Sequence, residues 1–384
     1  MACRDGGSVS VDRLLKEAAA QNASHVYLTP GVEPPVALRV AGELVIPVVD
    51  LAETLSAHIA RAKQLAALDP DDSAVPQWGH FEFRVAGQTW GATVSTLPTS
   101  AGDAVAVELH PPRDATPTLA DLGVHPATIE ALQSALSTRP GVLLIAGLWA
   151  DVAAGLDAVC RLEIWNGRRV AFLSRSGRMG PEGVLRIGPS GQADMANMLR
   201  AALDHDFTAF AVSDVMDAET AGHLFSEAHP SPWTTFVAGL PGVRDAAEVP
   251  QRLLNLRVSL TELEGRLMGI LGLRLARLLC RSCRETRPPT AAEQAALGET
   301  AGTLTAVCDA PGCAECARTG HDGEIVLAEW IPATDAVCDA FGRGPEAVRG
   351  AALPAGAGGL RDSGLALVGD GAITVREWER VLTS

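Results

Sequence analysis

Residues 142–160, VLLIAGLWADVAAGLDAVC, read as a buried strand, a short loop and a helix. This is the layout of a phosphate-binding loop without its chemistry. A working loop, G-x-x-x-x-G-K-[ST], surrounds phosphates with backbone N–H groups, places a lysine on the β/γ oxygens and puts a hydroxyl on Mg²⁺. Here Gly147 alone stands in its place; Val152 sits at the second glycine, Ala153 at the lysine and Ala154 at the hydroxyl. Asp151 adds negative charge where phosphates would lie. The expected result is a cavity shaped like a nucleotide site that offers no cation to a triphosphate. Strand–loop–helix units occur in every α/β domain, so the rest of the chain has to decide.

With 384 residues the chain has room for two domains with proper cores. An apolar content of 47% and a balanced use of Gly, Pro and charge are those of a folded globular protein. The sequence has no unbroken apolar run of the roughly 18 residues needed to cross a bilayer, and its start, MACRDGGSVSVDRLLKEA, lacks the apolar core of a secretory signal. A cytoplasmic protein without direct membrane insertion is expected. A net charge of −15 argues against nucleic acid and against a polybasic membrane patch. Lys16 and Lys63 are the only lysines, so no shift of alignment brings a lysine to the loop at Gly147.

Residues 1–110 read as a small α/β domain. Leu14, Leu15, Ala18 and Ala19 make one apolar helical face. Two stretches, ALRV-AG-ELV at 37–45 and FEFRV-AG-QTWGATVSTL at 81–97, alternate around an Ala-Gly turn as hairpins do. The polar, Pro-rich 111–118 reads as a linker. From Leu119 to Ser384 strands alternate with helices, the mark of a parallel sheet. Strands are predicted at 142–146, 169–173, 208–212 and 233–237. Helices are predicted at 125–137, 151–161, 191–204, 217–228 and 245–255, with a longer helical stretch over 260–279. A cysteine-rich module at 278–320 and a helical tail with a Gly/Ala-rich loop at 350–359 complete the chain.

Several longer words carry a resemblance: ASHVYLTP (23–30), VPQWGHF (75–81), VSTLPTSAGDAVAVEL (94–109), LADLGVHPATIEAL (119–132), LRAALDHDFTAFAVSDVMDAETA (199–221) and LGLRLARLLCRSCRE (271–285). Together they resemble the ATPases of type II secretion and type IV pilus assembly, over roughly residues 12–384. The resemblance implies a small N-terminal domain followed by a RecA-like, P-loop NTPase-type domain with a tetracysteine zinc insert. It also implies a hexameric ring of protein subunits. No counterpart of the family's membrane-docking domain, which precedes the small domain, is expected.

The departures from that family fall on one kind of atom. Where its arginines reach toward nucleotide phosphates, this chain has His80, Thr93 and Glu108. Its acidic box reads Ser174-Arg175-Ser176-Gly177-Arg178; its glycine–glutamate pair becomes Ser213-Asp214, and the arginine after it Met216. Gly239 stands at its histidine. Phosphoryl transfer to water is mostly positioning and charge stabilisation, and losing one donor costs about 10²–10³ in rate. The lysine, the Mg²⁺ hydroxyl and the arginines are lost together, so no catalytic residue and neither ATP nor Mg²⁺ is expected. Val152 should also oppose the left-handed backbone that a loop glycine allows.

The surviving residues have plainer roles. Asp214, at a strand end, is more often structural than a Mg²⁺ holder. Asp217 reads as the cap of a helix beginning at Ala218. His205, His223 and His229 show no ligand spacing. Cys280-x-x-Cys283 and Cys313-x-x-Cys316, separated by 29 residues, fit a closed Cys₄ zinc site of structural type. Cys308 is a fifth thiol without a CxxC partner, and Cys3, Cys160 and Cys338 read as isolated.

The reading is a pseudo-ATPase acting as a structural or regulatory subunit of a secretion or pilus motor. It could sit in a mixed ring with an active paralogous ATPase, and lie at the inner membrane through partners. The alternatives are a divergent ATPase that replaces the lysine with Arg175, Arg178 or Arg168, since arginine clamps phosphates bidentately, and a zinc-stabilised adaptor that forms no ring.

Overall fold

The computed structural model of the chain describes residues 10–40, 42–47, 55–112, 117–162, 165, 167–174, 184–188, 195–226, 233–298, 304–353 and 359–383. Cys3, half of the 111–118 linker (113–116), Arg175–Arg178, His229 and half of the 350–359 loop (354–358) lie outside these residues. The chain separates into two compact units, one ending at Thr116 and one beginning at Pro117, leaving aside 175–179.

The first unit is a six-stranded antiparallel sheet with two helices on one face. Its strands are β1 (Ala23–Leu28), β2 (Val36–Val40), β3 (Glu43–Val45), β4 (Trp78–Val85), β5 (Gln88–Thr99) and β6 (Gly102–His110), in the order β3-β2-β1-β6-β5-β4. Helix α1 (Val11–Ala20) buries Leu14, Leu15, Ala18 and Ala19. Helix α2 (Leu55–Leu65) adds Ile59 and Ala62 to the same core, against Val26, Leu38, Val94 and Val107. The strands flanking both Ala-Gly words pair as hairpins, β2 with β3 and β4 with β5; Ala41 of the first word lies outside the described residues. Ala86 and Gly87 both lie at positive φ (50° and 86°), the conformation a two-residue turn needs to follow the sheet twist.

Lys63 is fully buried in this unit. Its ammonium donates to Asp103 Oδ2 at 2.8 Å, to the Asp72 carbonyl at 2.8 Å and to the Pro70 carbonyl at 3.3 Å. Three acceptors match the three donors of an ammonium, not the planar fork of a guanidinium. That accounts for a lysine here in an arginine-rich chain.

The second unit is a seven-stranded mixed sheet. Its strands are β7 (Val142–Gly147), β8 (Val170–Leu173), β9 (Leu185–Ile187), β10 (Ala209–Val212), β11 (Thr235–Pro241), β12 (Leu267–Leu279) and β15 (His321–Pro332), ordered β15-β12-β7-β11-β10-β8-β9. Only the β12–β15 pair is antiparallel. The short strands β13 (Glu285–Arg287) and β14 (Val307–Asp309) form a separate ribbon. Every residue of β7, β8, β10 and β11 is buried, as expected for parallel strands covered on both faces.

Helices α3 (Pro126–Thr138) and α4 (Trp149–Val159) contribute to the core on one side of the sheet. Helices α5 (Met195–Leu203), α6 (Ala218–Phe225), α7 (Val249–Asn255) and α8 (Leu260–Arg266) belong to the core on the other. Helix α9 (Ala291–Leu297) lies in the cysteine-rich module, followed after β15 by α10 (Asp335–Cys338) and α11 (Pro345–Ala352). The last helices, α12 (Leu360–Gly369) and α13 (Val375–Thr383), enclose a third core with Leu327, Ala276 and the fully buried Trp378.

The helical stretch expected over 260–279 is overturned. Only Leu260–Arg266 is helical; Ser259 caps it through Glu262 N–H, and the chain then runs as the 13-residue strand β12. LMGILGLRLARLL is apolar but for Arg274 and Arg277, and periodicity alone cannot separate a buried strand from a buried helix. Partners decide it. β12 lies between β7 and β15, and Gly269 leaves the space that the Trp330 ring fills; an added Cβ there would sit 2.2 Å from the ring.

Candidate functional site

The parallel strands end together at Gly147, Leu173, Val212 and Pro241, the edge where open α/β sheets bind ligands. Strand β7 passes into α4 through Leu148 alone. Trp149, Ala150 and Asp151, which a phosphate loop would hold open, form the first turn of the helix. Val152 lies in regular helix, its N–H donating to the Leu148 carbonyl at 3.0 Å. No left-handed position is needed there, so the expected strain at Val152 does not arise. The loop has been removed rather than strained.

Asp151 closes the helix end. Only 3% exposed, it accepts the Leu148 N–H on Oδ2 at 2.8 Å and the Leu275 N–H of β12 on Oδ1 at 2.9 Å. The Arg274 guanidinium lies 3.6 Å from Oδ2 and donates to the carbonyls of Leu273 (2.9 Å) and Val243 (3.0 Å). Burial pushes the Asp151 carboxyl up, against the N–H bonds from Leu275 and Leu148 and the Arg274 charge. Burial likewise pushes Arg274 down, with Asp151 the largest opposing charge. Each ion is therefore costly by itself and tolerated because the other is present. Asp151 therefore faces Arg274, a cation that the sequence reading did not place here.

The crook is also filled. Val152 is buried. A Cβ on Gly239 would sit 2.5 Å from Val152 Cγ1 and 2.2 Å from the Ser213 carbonyl. The residue at the family's second glycine thus occupies room beside the residue at its histidine. At Gly147 an added Cβ would sit 2.7 Å from the Leu273 carbonyl and 2.8 Å from Asp151 Cβ. The room a side chain at Gly239 would need is thus taken by Val152 and the Ser213 carbonyl. Ala153 and Ala154 follow within α4 and bring neither charge nor hydroxyl.

Asp214 follows β10, is buried, and accepts the Ser213 hydroxyl at 2.6 Å. Asp217 caps α6, taking the Thr220 N–H at 2.7 Å and the Thr220 hydroxyl at 2.9 Å. In the first unit His80, Thr93 and Glu108 are brought into one row across β4, β5 and β6, His80 opposite Thr93 and Thr93 opposite Glu108. Thr93 Oγ1 lies 2.8 Å from His110 Nε2.

The four cysteines converge. Cys280 ends the β12 segment, and Cys313 and Cys316 sit in the turn before β15. All four sulfurs lie within 4.8 Å of one another, with Cys280–Cys313 at 3.9 Å, Cys283–Cys316 at 4.0 Å and Cys313–Cys316 at 3.8 Å. A tetrahedron of Zn–S bonds near 2.3 Å has edges of about 3.8 Å. Gly312 (φ 94°) makes the knuckle: an added Cβ would be 2.4 Å from the Arg318 carbonyl. The Cys313 N–H bonded to the Cys316 sulfur holds that thiol down at about 6, while desolvation pushes the Cys283 thiol up to about 12. Cys308 is not in the cluster; its sulfur lies 3.4 Å from the Thr286 hydroxyl.

Sequence reading missed Arg274, Leu275 and Val243. The two arginines inside LGLRLARLL, Arg274 and Arg277, are the signal, because a charge in a buried run needs a partner. Nothing local reveals that the partner lies 124 residues from Leu275.

The fold is similar to that of solved ATPases. The ATPase DotB of Legionella pneumophila superposes with a TM-score of 0.62 at 16% identity, covering 100% of this chain and 97% of that one. The pilus retraction motor PilT with bound ADP gives 0.61 at 14% identity, covering 98% of each. These likenesses establish a P-loop ATPase fold.

The chain belongs to the Type II/IV secretion system protein family, whose family model matches residues 8–148 and 178–380. It is 27% identical over 396 residues to type II secretion system protein HxcR of Pseudomonas aeruginosa, covering 98% of this chain and 78% of that protein. It is 28% identical over 358 residues to type II secretion system protein E of Klebsiella pneumoniae (88% and 68%). With the type IV pilus assembly ATPase PilB of Thermus thermophilus it shares 26% over 391 residues (96% and 42%). The family match breaks off at Leu148 and resumes at Arg178, so it omits α4 and β8. Among the described residues no helix is long and apolar enough to cross a membrane.

Proposed function

We propose that this chain is a catalytically inactive relative of the secretion and pilus ATPases, serving as a structural or regulatory subunit of such a machine. The observation that carries the reading is the passage from β7 to α4 through Leu148 alone, with Asp151 seated on the helix end. A triphosphate needs a ring of free N–H groups and a cation. Here the Val152 N–H is taken by the Leu148 carbonyl, the Leu148 N–H by Asp151, and Arg274 is held by Asp151 and two carbonyls. The interruption of the family match over 149–177 supports the same view.

The tetracysteine module holds a structural zinc through Cys280, Cys283, Cys313 and Cys316, the sulfur spacing being that of a tetrahedral site. Zinc there fixes the return of the chain from β12 to β15 and takes part in no chemistry. The protein works through protein partners: an active paralogous ATPase in a mixed hexameric ring, or other parts of a cytoplasmic platform at the inner membrane. It takes neither nucleic acid nor ATP–Mg²⁺.

Phosphate release from ATP–Mg²⁺ by the purified chain, with an active family member as control, tests this. Release at background is expected. Steady turnover that disappears with Asp214→Ala would overturn it. Nucleotide-dependent thermal protection of the unmodified chain would instead favour the divergent ATPase. Light scattering and pull-down with an active paralogue separate a ring subunit from a monomeric adaptor.

A further inference from the structure

Helix N-termini attract anions because their first N–H groups lack helical partners and the helix dipole is positive there. At α4 the surroundings add to this. Beyond Gly272 strand β12 has run past the end of its pairing with β7, so the Leu275 N–H on that side has no ladder partner from β7. The Arg274 guanidinium is buried beside it. Donors from two separate elements, Leu148 N–H, Leu275 N–H and Arg274, therefore converge on one point, and the group at that point is the Asp151 carboxylate. A helix cap needs only the Leu148 bond. The second oxygen, bonded across to another strand and set against a buried guanidinium, is what an anion site would ask of its ligand.

We propose that Asp151 is an internal counter-anion: a tethered carboxylate that occupies an otherwise competent anion site between α4 and β12 and closes it to inorganic phosphate and phosphate esters. The functional meaning rests on the pseudo-ATPase reading, but the occupancy can be tested apart from it. The carboxylate belongs to the helix it neutralises, so no free phosphate competes with its effective concentration. It also links the C-terminal helix to the site. Leu275 gives its N–H to Asp151 and accepts Arg380 of α13 on its carbonyl at 3.1 Å. A single residue of β12 thus joins the α4 cap to the last helix.

The test is thermal unfolding of the full chain in sodium chloride and in inorganic phosphate at matched ionic strength. The unmodified protein should show the same midpoint in both. Asp151→Ala should lose roughly 5–10 °C in chloride, as expected when one partner of a buried pair is removed. Titration with phosphate should then restore roughly 3–6 °C with saturation. Asp151→Ala/Arg274→Ala should lose that restoration. If Asp151→Ala does not fold in chloride, Asp151→Ser keeps an acceptor for the Leu148 N–H, opens the same point and serves in its place. Variants that ignore phosphate would reduce Asp151 to a helix cap and overturn the proposal, as would saturable stabilisation of the unmodified chain by phosphate. ATP turnover by the unmodified chain bears on the pseudo-ATPase reading and leaves these outcomes untouched.

Discussion

The packed crook at the end of β7 can be probed at Gly239, the position of the family's histidine. Gly239→Ala adds one methyl group. It would arrive 2.2 Å from the Ser213 carbonyl and 2.5 Å from Val152 Cγ1, distances that force backbone and side chain to move. Overpacking of this kind costs about 1–3 kcal/mol, and a backbone obstacle places it at the upper end. Val152→Ala removes two buried carbons and costs about 2 kcal/mol. If Val152 shares the obstruction, the double variant should be more stable than the sum of the two predicts, by about 1 kcal/mol. Relief should be partial, because the Ser213 carbonyl remains. Urea unfolding followed by far-UV circular dichroism reads these differences as shifts in midpoint. A neutral Gly239→Ala, within about 0.5 kcal/mol, would show that the crook is open. The filled site would then be wrong and a ligand cavity would return to consideration.

Three further outcomes are expected. Lys63→Met should destabilise the first unit by about 3–5 kcal/mol, because it leaves Asp103 buried without its partner. Lys63→Met/Asp103→Leu should recover most of that loss in thermal melts. Glu377 is buried, which pushes its pKa up, but the guanidinium bonds of Arg380 and Arg277 prevail and hold it at about 2, below its ordinary 4.5. A depressed carboxylate contributes stability that is complete above about pH 4.5 and fades as the pH falls toward 2. Glu377→Gln should therefore flatten the acid limb of the stability profile over that window while lowering stability at neutral pH. Metal analysis should find close to one zinc per chain. Chelation or Cys283→Ser should release it and expose 280–320 to proteolysis while the parallel sheet stays protected from hydrogen exchange.

Local rules made much of this protein legible. The apolar face of α1, the Ala-Gly hairpins, the buried runs of β7, β8, β10 and β11, and the Asp217 cap each follow from periodicity or from a bond spanning three residues. The paired cysteines belong with them, since their CxxC spacing already states a tetrahedral intention. So does the missing lysine: a residue that is absent from the chain after Lys63 cannot be restored by folding.

What the linear order could not supply lies in contacts between distant segments. LMGILGLRLARLL reads equally as helix or strand, and only β7 and β15 on either side make it β12. An open loop was expected after Gly147, yet the helix begins two residues later because Asp151 finds Leu275 and Arg274 across the sheet. Val152 and Gly239 look like two independent losses until packing puts a valine methyl where a glycine has no Cβ. The sequence by itself determined the family, the buried runs of β7, β8, β10 and β11, and the presence of Ala153 and Ala154 in place of a lysine and a hydroxyl. The tertiary structure alone decided that Asp151 meets Leu275 and Arg274 and that Val152 takes the room beside Gly239, because these groups come together only once the sheet is assembled.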